Sequence, residues 1–232
     1  MSDTKVSSLT DKTSLLSTDT FYIVDPTSLT PSRKLTLSNL IKNLGPIQPF
    51  TPPIDANFSW RNQGGASVVT GDYGITMIIP STSNIHSREI VAPSTPYTIT
   101  AGFTYATTTP SGGGSIFGLG WANNAAGSYA LLEVQQLFNA QAILTSSKWT
   151  SGSVFSAHYL TNDFYFRGPI VWMQASDDGA NRIVRFSADG VNFITYHSVA
   201  RTDFLTPDRV VWAGNASSAS NALLNLVSWK QT

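Results

Sequence analysis

The stretch YTITAGFTY, residues 97–105, indicates the fold class more clearly than any other part of the sequence. Every second side chain in it is apolar, and the side chains between them are threonine or glycine. The apolar set is Tyr97, Ile99, Ala101, Phe103 and Tyr105, and the other set is Thr98, Thr100, Gly102 and Thr104. Successive side chains of a β-strand point to opposite faces, so this period of two predicts a strand with one face in a core.

Similar strand signals recur from Asn57 to the end of the chain. The other predicted strands are Gly74–Ile79, Ser115–Leu119, Tyr129–Gln135, Ala142–Ser146, Ile170–Ala175, Arg182–Phe186, Phe193–Ser198, Arg209–Ala213 and Leu223–Trp229. Clusters of glycine, asparagine, serine and proline separate them, as in residues 109–114 and 123–127. Short strands joined by turn residues predict an all-β, antiparallel two-sheet jelly-roll sandwich. The run VQQLFNAQAIL, residues 134–144, is also compatible with a helical turn.

The composition excludes several classes of protein and of site. The 232 residues include 14 basic and 14 acidic side chains, which gives a formal charge of zero, and no cysteine. A neutral chain lacks the basic face that displaces counterions from nucleic acid, so we expect no nucleic-acid partner. The absence of cysteine excludes disulfides and thiolate sites. We expect no signal peptide at the start, and no membrane insertion, because no apolar run approaches about 18 residues.

The first 44 residues predict a small α+β module. Phe21–Val24 and Leu35–Leu37 are short β-prone runs, and Ser38 stands where the N-cap of a short helix ending at Gly45 would lie. A module of this size buries too little surface to fold alone, so we expect its apolar residues to serve attachment and oligomerisation. These residues are Phe21, Ile23, Val24, Leu35, Leu37, Leu40, Ile41 and Leu44.

A proline-rich segment follows this module. Residues 45–54, GPIQPFTPPI, contain four prolines, each of which fixes φ and removes an amide donor. We therefore interpret the segment as an extended spacer. The predicted domains are an attachment module at residues 1–44, the spacer at residues 45–54, and the sandwich at residues 55–232.

The sequence contains no clear catalytic motif. After the spacer, Glu89 and Glu133 are the only glutamates, and neither belongs to a run of alternating acids. Glycosidases require two carboxyl groups that face each other across the scissile bond. No G-x-S-x-G elbow for a serine nucleophile occurs either. We therefore expect no catalytic residues and no enzymatic activity.

We also expect no metal ion and no cofactor. His86, His158 and His197 are isolated from one another and from other ligands in the sequence. The run DDGAN, residues 177–181, is a possible calcium loop, but its glycine comes too early for the known spacing. A tight turn between two strands explains the same residues better, because Asp-Gly tolerates positive φ.

Tryptophan is the residue type that could form a ligand-binding surface. An indole ring stacks well on the C–H faces of sugars. Trp172 and Trp229 lie in strand patterns with aliphatic neighbours, so we assign them to the core. Trp121 and Trp149 lie in polar or glycine-rich surroundings, and we predict them to be exposed binding platforms.

Two parts of the chain resemble known families. In residues 9–44, LLSTDTFYIVD followed by RKLTLSNL resembles an N-terminal segment of fibre and virion surface proteins of tailed bacteriophages. From about Asn57 onward, the runs RIVRFSADGVNF and RVVWAGN resemble hairpins of concanavalin A-like, lectin-like jelly rolls. No sugar-binding or calcium-binding residue of that family can be matched to this sequence.

These resemblances imply a virion protein on a phage head or tail, anchored by its N-terminus. Its expected partners are other copies of itself, as a homotrimer, other virion proteins, and a glycan of the host surface. The alternatives are a bacterial carbohydrate-binding lectin and, with less support, a glycan hydrolase.

Overall fold

The computed structural model describes residues 20–23, 33–36, 50–107, 115–136, 142–162, 170–216 and 221–232. The chain divides into two compact units, residues 1–47 and residues 48–232. In the first unit, strands β1 (Thr20–Ile23) and β2 (Arg33–Thr36) form an antiparallel ladder that pairs Phe21 with Leu35. Both strands occur where they were predicted. The predicted helix after Ser38 lies outside the described residues, as do Val24, Leu37, Leu40, Ile41 and Leu44.

The second unit contains two antiparallel sheets of seven strands each, whose strands are numbered in chain order. The front sheet has the spatial order β11 (Val154–Asn162), β10 (Ala142–Ser151), β9 (Tyr129–Gln136), β8 (Ser115–Ala122), β15 (Arg209–Gly214), β6 (His86–Val91) and β3 (Ser59–Asn62). The back sheet has the order β14 (Ile194–Ala200), β13 (Asn181–Ser187), β12 (Val171–Asp177), β7 (Tyr97–Thr107), β16 (Ala222–Gln231), β5 (Gly74–Ile79) and β4 (Ser67–Gly71). This arrangement confirms the predicted all-β sandwich.

Every strand predicted in residues 57–232 is present, whereas β3, β4, β6 and β11 were missed. Strand β6 has the sequence HSREIV, which shows no apolar alternation, although His86, Ser87, Arg88 and Glu89 are all buried. Its polar residues can be buried because each has a hydrogen-bond partner. The partners of Glu89 lie on the neighbouring strands, those of His86 and Arg88 lie just outside β3, and Ser87 bonds to Tyr129. The ambiguous run of residues 134–144 contributes its ends to β9 and β10, and residues 137–141 lie outside the described part.

The core lies between the two sheets. Ile99, Ala101 and Phe103 of β7 are 0% exposed and pack against front-sheet residues such as Leu132 and Trp212. Each fully buried side chain of this kind stabilises the fold by about 1.5–3 kcal/mol. The inward face predicted for residues 97–105 is therefore confirmed, although its last residue, Tyr105, is only partly buried.

The outer face of the back sheet contacts the segment that we predicted to be a free spacer. Trp172 is 4% exposed, and it covers Gly102 on the outer face, outside the core to which it was assigned. The ring of Phe50 lies 5.4 Å from that of Trp172. The amide of Trp229 donates to the carbonyl of Thr51 at 2.8 Å, which places residue 51 beside β16. Residues 50 and 51 thus pack on the sandwich.

The β12–β13 connection is the tight turn that its sequence predicted. Gly179 has φ +94°, and Asp178 Oδ1 accepts hydrogen bonds from the amides of Ala180 at 2.8 Å and Asn181 at 2.6 Å. These amide hydrogen bonds lower the pKa of the Asp178 carboxyl group. The carboxylate completes the turn, so the calcium interpretation is not needed.

Two glycines in the sandwich differ in the space around them. A Cβ atom at Gly118 would lie 2.1 Å from the carbonyl oxygen of Leu132 on β9, whereas a Cβ at Gly71 would meet nothing within 4 Å. The clash partner at Gly118 is backbone, so β8 and β9 would have to separate.

We expect Gly118→Ala to lower the free energy of unfolding by about 1–3 kcal/mol, because overpacking forces backbone shifts. The matched variant Gly71→Ala should stay within about 0.5 kcal/mol of the parent. Urea titrations of both variants measure the difference. Equal effects at the two positions would show that the close approach of β8 and β9 does not restrict the residue at position 118.

Candidate functional site

The outer face of the front sheet carries an unusual set of buried residues. On β9, Leu132 and Val134 face the core, whereas Tyr129, Leu131 and Glu133 face outward. These outward residues are nevertheless no more than 2% exposed. Tyr129 and Leu131 form a second apolar cluster with Ile85 and with residues of β8, β10 and β15. The members of this cluster are Ile85, Ile116, Ala122, Tyr129, Leu131, Trp149, Val211 and Ala213.

This face is buried because the sheet curls over it. The amide of Ile85, just before β6, donates to the carbonyl of Gly152 in the β10–β11 hairpin at 2.6 Å. The side-chain amide of Asn62, at the end of β3, donates to the carbonyl of Ile85. In a flat sheet β10 and β3 would be about 24 Å apart, at a strand spacing of about 4.8 Å. The contact between them requires strong curvature and encloses part of the outer face.

A polar cleft of about 470 Å³ opens beside this contact. At its base, Arg61 Nη1 donates to Glu89 Oε2 at 3.2 Å, and Arg209 Nε donates to Glu89 Oε1 at 3.2 Å. The guanidinium group of Arg61 also lies 5.0 Å from the centre of the Tyr129 ring. The other residues lining the cleft are Trp60, Asn62, Asn84, Asn124, Gly127, Ser151, Gly152 and Ser153.

The cleft combines fixed and accessible groups. The side chains of Arg61 and Glu89 are 6% and 9% exposed, so the ion pair is held in place by burial. Asn84, Asn124 and Ser153 are exposed around it. Amide and hydroxyl groups that remain accessible can exchange water for hydrogen bonds to a polar ligand. Trp60 and Tyr129 also line the cleft, but Tyr129 is 2% exposed beneath Arg61, and Trp60 packs against the core.

A second, smaller cavity of about 180 Å³, here called the carboxyl cavity, lies on the same face. It is lined by Ile116, Glu133, Gln135, Trp149, Phe155 and His158. Glu133 Oε1 accepts a hydrogen bond from Thr145 at 3.2 Å, whereas the buried Oε2 has no hydrogen-bond partner. Burial raises the pKa of Glu133 to about 7, despite the nearby polar groups of Ser147, Thr145 and Trp149.

The two glutamates of this face do not form an opposed pair. Glu89 is on β6 and Glu133 is on β9, and β15 and β8 lie between them. Across the sheet, Glu89 is in register with Val211 of β15 and Leu131 of β9, which both belong to the apolar cluster. Glu89 lines the polar cleft, whereas Glu133 lines the carboxyl cavity. The carboxyl groups of glycoside hydrolases are about 5–9.5 Å apart, on either side of one bond. The two carboxyl groups therefore belong to different sites.

The prediction that Trp121 is an exposed platform is wrong. Trp121 is 2% exposed and lies in the core between the sheets, where its Nε1 donates to Tyr97 Oη at 3.0 Å. The physical reason is that β8 continues to Ala122 instead of ending at Leu119. Trp121 thus continues the inward alternation of Phe117 and Leu119.

Trp149 is not an exposed platform either. It is 9% exposed on the outer face of β10, packs edge-on against Phe155 with ring centres 5.3 Å apart, and donates from Nε1 to Ser147 Oγ at 3.0 Å. Strand β10 extends to Ser151, well beyond the predicted end at Ser146, and its hairpin partner covers the indole. Trp149 still lines the carboxyl cavity, where its side chain forms part of the wall.

Sequence reasoning missed the polar residues of the cleft. Arg61 lies on the short strand β3, and Asn84 and Asn124 lie in turns that read as ordinary loop sequence. Glu133 did carry a signal, since a single acid inside the apolar run Leu131–Val134 must be buried if the strand keeps its register.

The histidines are not grouped as metal ligands. His86 is 3% exposed and its Nδ1 lies 2.8 Å from the carbonyl oxygen of Gln63. Within the described ranges, no three histidine, cysteine or acidic side chains come close enough together to hold a metal ion.

No helix of the described residues is long and apolar enough to span a membrane.

No protein-family model matches the sequence, and no curated protein matches it. Solved structures share the fold at low identity. A functionally unknown protein from Saccharomyces cerevisiae is 14% identical, with a TM-score of 0.59, over 76% of this chain and 96% of that one. A legume lectin-like domain from Entamoeba histolytica is 10% identical, with a TM-score of 0.52, over 81% of this chain and 97% of that one.

A glycoside hydrolase is also similar. A mutant of the GH43 protein BlXynB from Bacillus licheniformis is 8% identical, with a TM-score of 0.57, over 77% of this chain. The match spans 37% of that protein's length. Together with the lectin-like domain, these likenesses show that the second unit has a concanavalin A-like sandwich fold. At this identity they show the fold alone.

The raised pKa of Glu133 predicts how stability depends on pH. Between pH 4.5 and about 7 the folded state binds the Glu133 proton and the unfolded state releases it, so the stability contribution of this group falls as pH rises. We expect Glu133→Gln to gain stability relative to the parent, by up to roughly 3 kcal/mol between pH 5 and pH 8. Urea titrations at several pH values test this, and a difference that stays constant with pH would contradict it.

Proposed function

We propose that the protein is a non-catalytic surface protein of a tailed-bacteriophage virion that contacts a host-surface glycan through the polar cleft. The observation that carries the adhesion part is the cleft itself. It offers the exposed side-chain amides of Asn84 and Asn124 beside the buried ion pair of Arg61 and Glu89. Sugars present hydroxyl groups at their edges, and these amides can exchange bound water for hydrogen bonds to such groups.

The state of the charged groups favours binding over hydrolysis. Glu89 is held between Arg61 and Arg209, so its oxygens accept hydrogen bonds from fixed cations. Glu133 lies in a separate cavity that no other carboxyl group lines. These features support a protein that acts by contact.

The virion part of the proposal rests on the N-terminal segment. Residues 9–44 resemble the attachment segment of phage fibre proteins, and the division of the chain at residue 47 separates them from the sandwich. A bacterial lectin would use the same cleft but would not need this module. We propose that the module joins copies of the chain as a homotrimer and docks on other virion proteins, on the head or the tail.

Removing one amide from the cleft should weaken glycan binding. We expect Asn84→Ala and Asn124→Ala each to raise the dissociation constant about three- to tenfold, the usual effect of losing one hydrogen bond. The measurement is calorimetric titration with the tightest ligand from a panel of purified bacterial surface polysaccharides. Asn57→Ala, an exposed asparagine that does not line the cleft, is the matched control. Binding that survives both cleft variants would place the glycan elsewhere.

The purified protein should leave the same polysaccharides intact. Glu89 and Glu133 line different cavities, so we expect no reducing sugar above the blank after prolonged incubation. Release of reducing sugar that disappears in Glu89→Gln or Glu133→Gln would overturn the non-catalytic assignment.

Deleting residues 1–44 should abolish oligomerisation and incorporation into particles. The sandwich should remain folded, since residues 48–232 form a compact unit of their own. Analytical ultracentrifugation and incorporation into virions measure the two effects, and thermal unfolding checks the fold. If the truncated chain still assembles and enters particles, the sandwich supplies the contacts.

A further inference from the structure

The carboxyl cavity is a second feature that the proposed adhesion site does not use. Its volume of about 180 Å³ is several times the roughly 30 Å³ that one water molecule occupies in the liquid. Phe155, 43% exposed, and the exposed His158 stand on its solvent side, whereas Glu133 is 1% exposed at its base. The cavity can therefore admit a small organic group.

Glu133 has fewer partners than a buried carboxylate normally has. Thr145 donates to Oε1, and Ser147 and Trp149 are close enough to lower the pKa of Glu133, but the buried Oε2 has no described partner at normal hydrogen-bond geometry. Neither lysine nor arginine lines the cavity. A buried charge without a counter-ion is costly, so such a group ionises only at a higher pH than usual, and a cation beside it stabilises the ionised form.

The groups that face Glu133 come from three neighbouring strands. Strand β8 contributes Ile116, β10 contributes Thr145, Ser147 and Trp149, and β11 contributes His158. Of these, only His158 is a titratable base, and partial desolvation lowers its pKa from the ordinary value, which favours the uncharged ring. The cavity thus presents one carboxyl group among aromatic and neutral polar side chains.

We propose that the carboxyl cavity binds the primary ammonium group of a small aliphatic amine. An ammonium group donates a hydrogen bond to Oε2 and at the same time neutralises the carboxylate. The rings of Trp149 and Phe155 stand 5.3 Å apart, nearly perpendicular, and attract a cation to their faces. A neutral hydroxyl group would satisfy Oε2 but would leave the charge unbalanced.

The probe is n-butylammonium chloride, with n-butanol as the neutral analogue of the same shape and KCl as the salt control. Tryptophan fluorescence of the full-length protein follows binding. At pH 8 we expect butylammonium to bind at least tenfold more tightly than butanol. Its affinity should fall towards tenfold per pH unit below about pH 7, where Glu133 becomes protonated and the amine stays charged. Equal affinity of the two probes would overturn the proposal.

Three controls separate a binding role from a structural one. Glu133→Gln keeps an acceptor for Thr145 and should remove the preference for the amine, whereas Phe155→Leu should weaken amine binding about two- to fivefold. Asn84→Ala should leave it unchanged, which separates this site from the glycan cleft. In the unaltered protein, carbon-13 NMR should show the Glu133 pKa falling below 7 when butylammonium is added. An unchanged pKa would contradict the ion pair.

Discussion

The hydrogen bond from the amide of Ile85 to the carbonyl of Gly152 holds together two parts of the front sheet that lie near its opposite edges. The curvature that it requires buries the outer face of a sheet that would otherwise be exposed on one side. A Cβ atom at Gly152 would lie 2.5 Å from the side-chain nitrogen of Asn62, so a larger residue there would displace the Asn62 amide that donates to Ile85. The cleft and the second apolar cluster both depend on this closure.

Burial of the outer face also explains why charged residues occur on a strand that the sequence did not reveal. On β6, Glu89 faces outward between Arg61 and Arg209, while Arg88 faces the core side and bonds to Asp55 and to the carbonyl of Phe58. Each charge in this row has an opposite charge or a carbonyl beside it. A buried ion pair adds little net stability, but removing one partner is costly. These charge pairs therefore determine which strands are neighbours more than they add to the free energy of unfolding.

The sequence predicted those parts of the fold that depend on local alternation. The inward face of residues 97–105, the turn at Asp178 and strand β16 (Ala222–Gln231) follow from period and turn chemistry within a few residues. The site depends on contacts between residues far apart in the chain, such as Arg61 with Asn124 and Ile85 with Gly152. Trp121 shows the limit clearly, because a strand three residues longer than predicted moved it from a surface loop into the core.

The two glutamates of the sandwich show why residue type alone could not assign function. Both are isolated acids in short strands, both face outward on the same sheet, and both are nearly buried. Glu89 has arginines on the adjacent strands β3 and β15, whereas Glu133 has glycine opposite it on β8 and threonine opposite it on β10. One carboxylate is thereby a fixed part of the cleft, and the other has a raised pKa and an unpaired oxygen. The cross-strand neighbours follow from the spatial order of the strands in the sheet. They decide which glutamate is structural and which is available to a ligand.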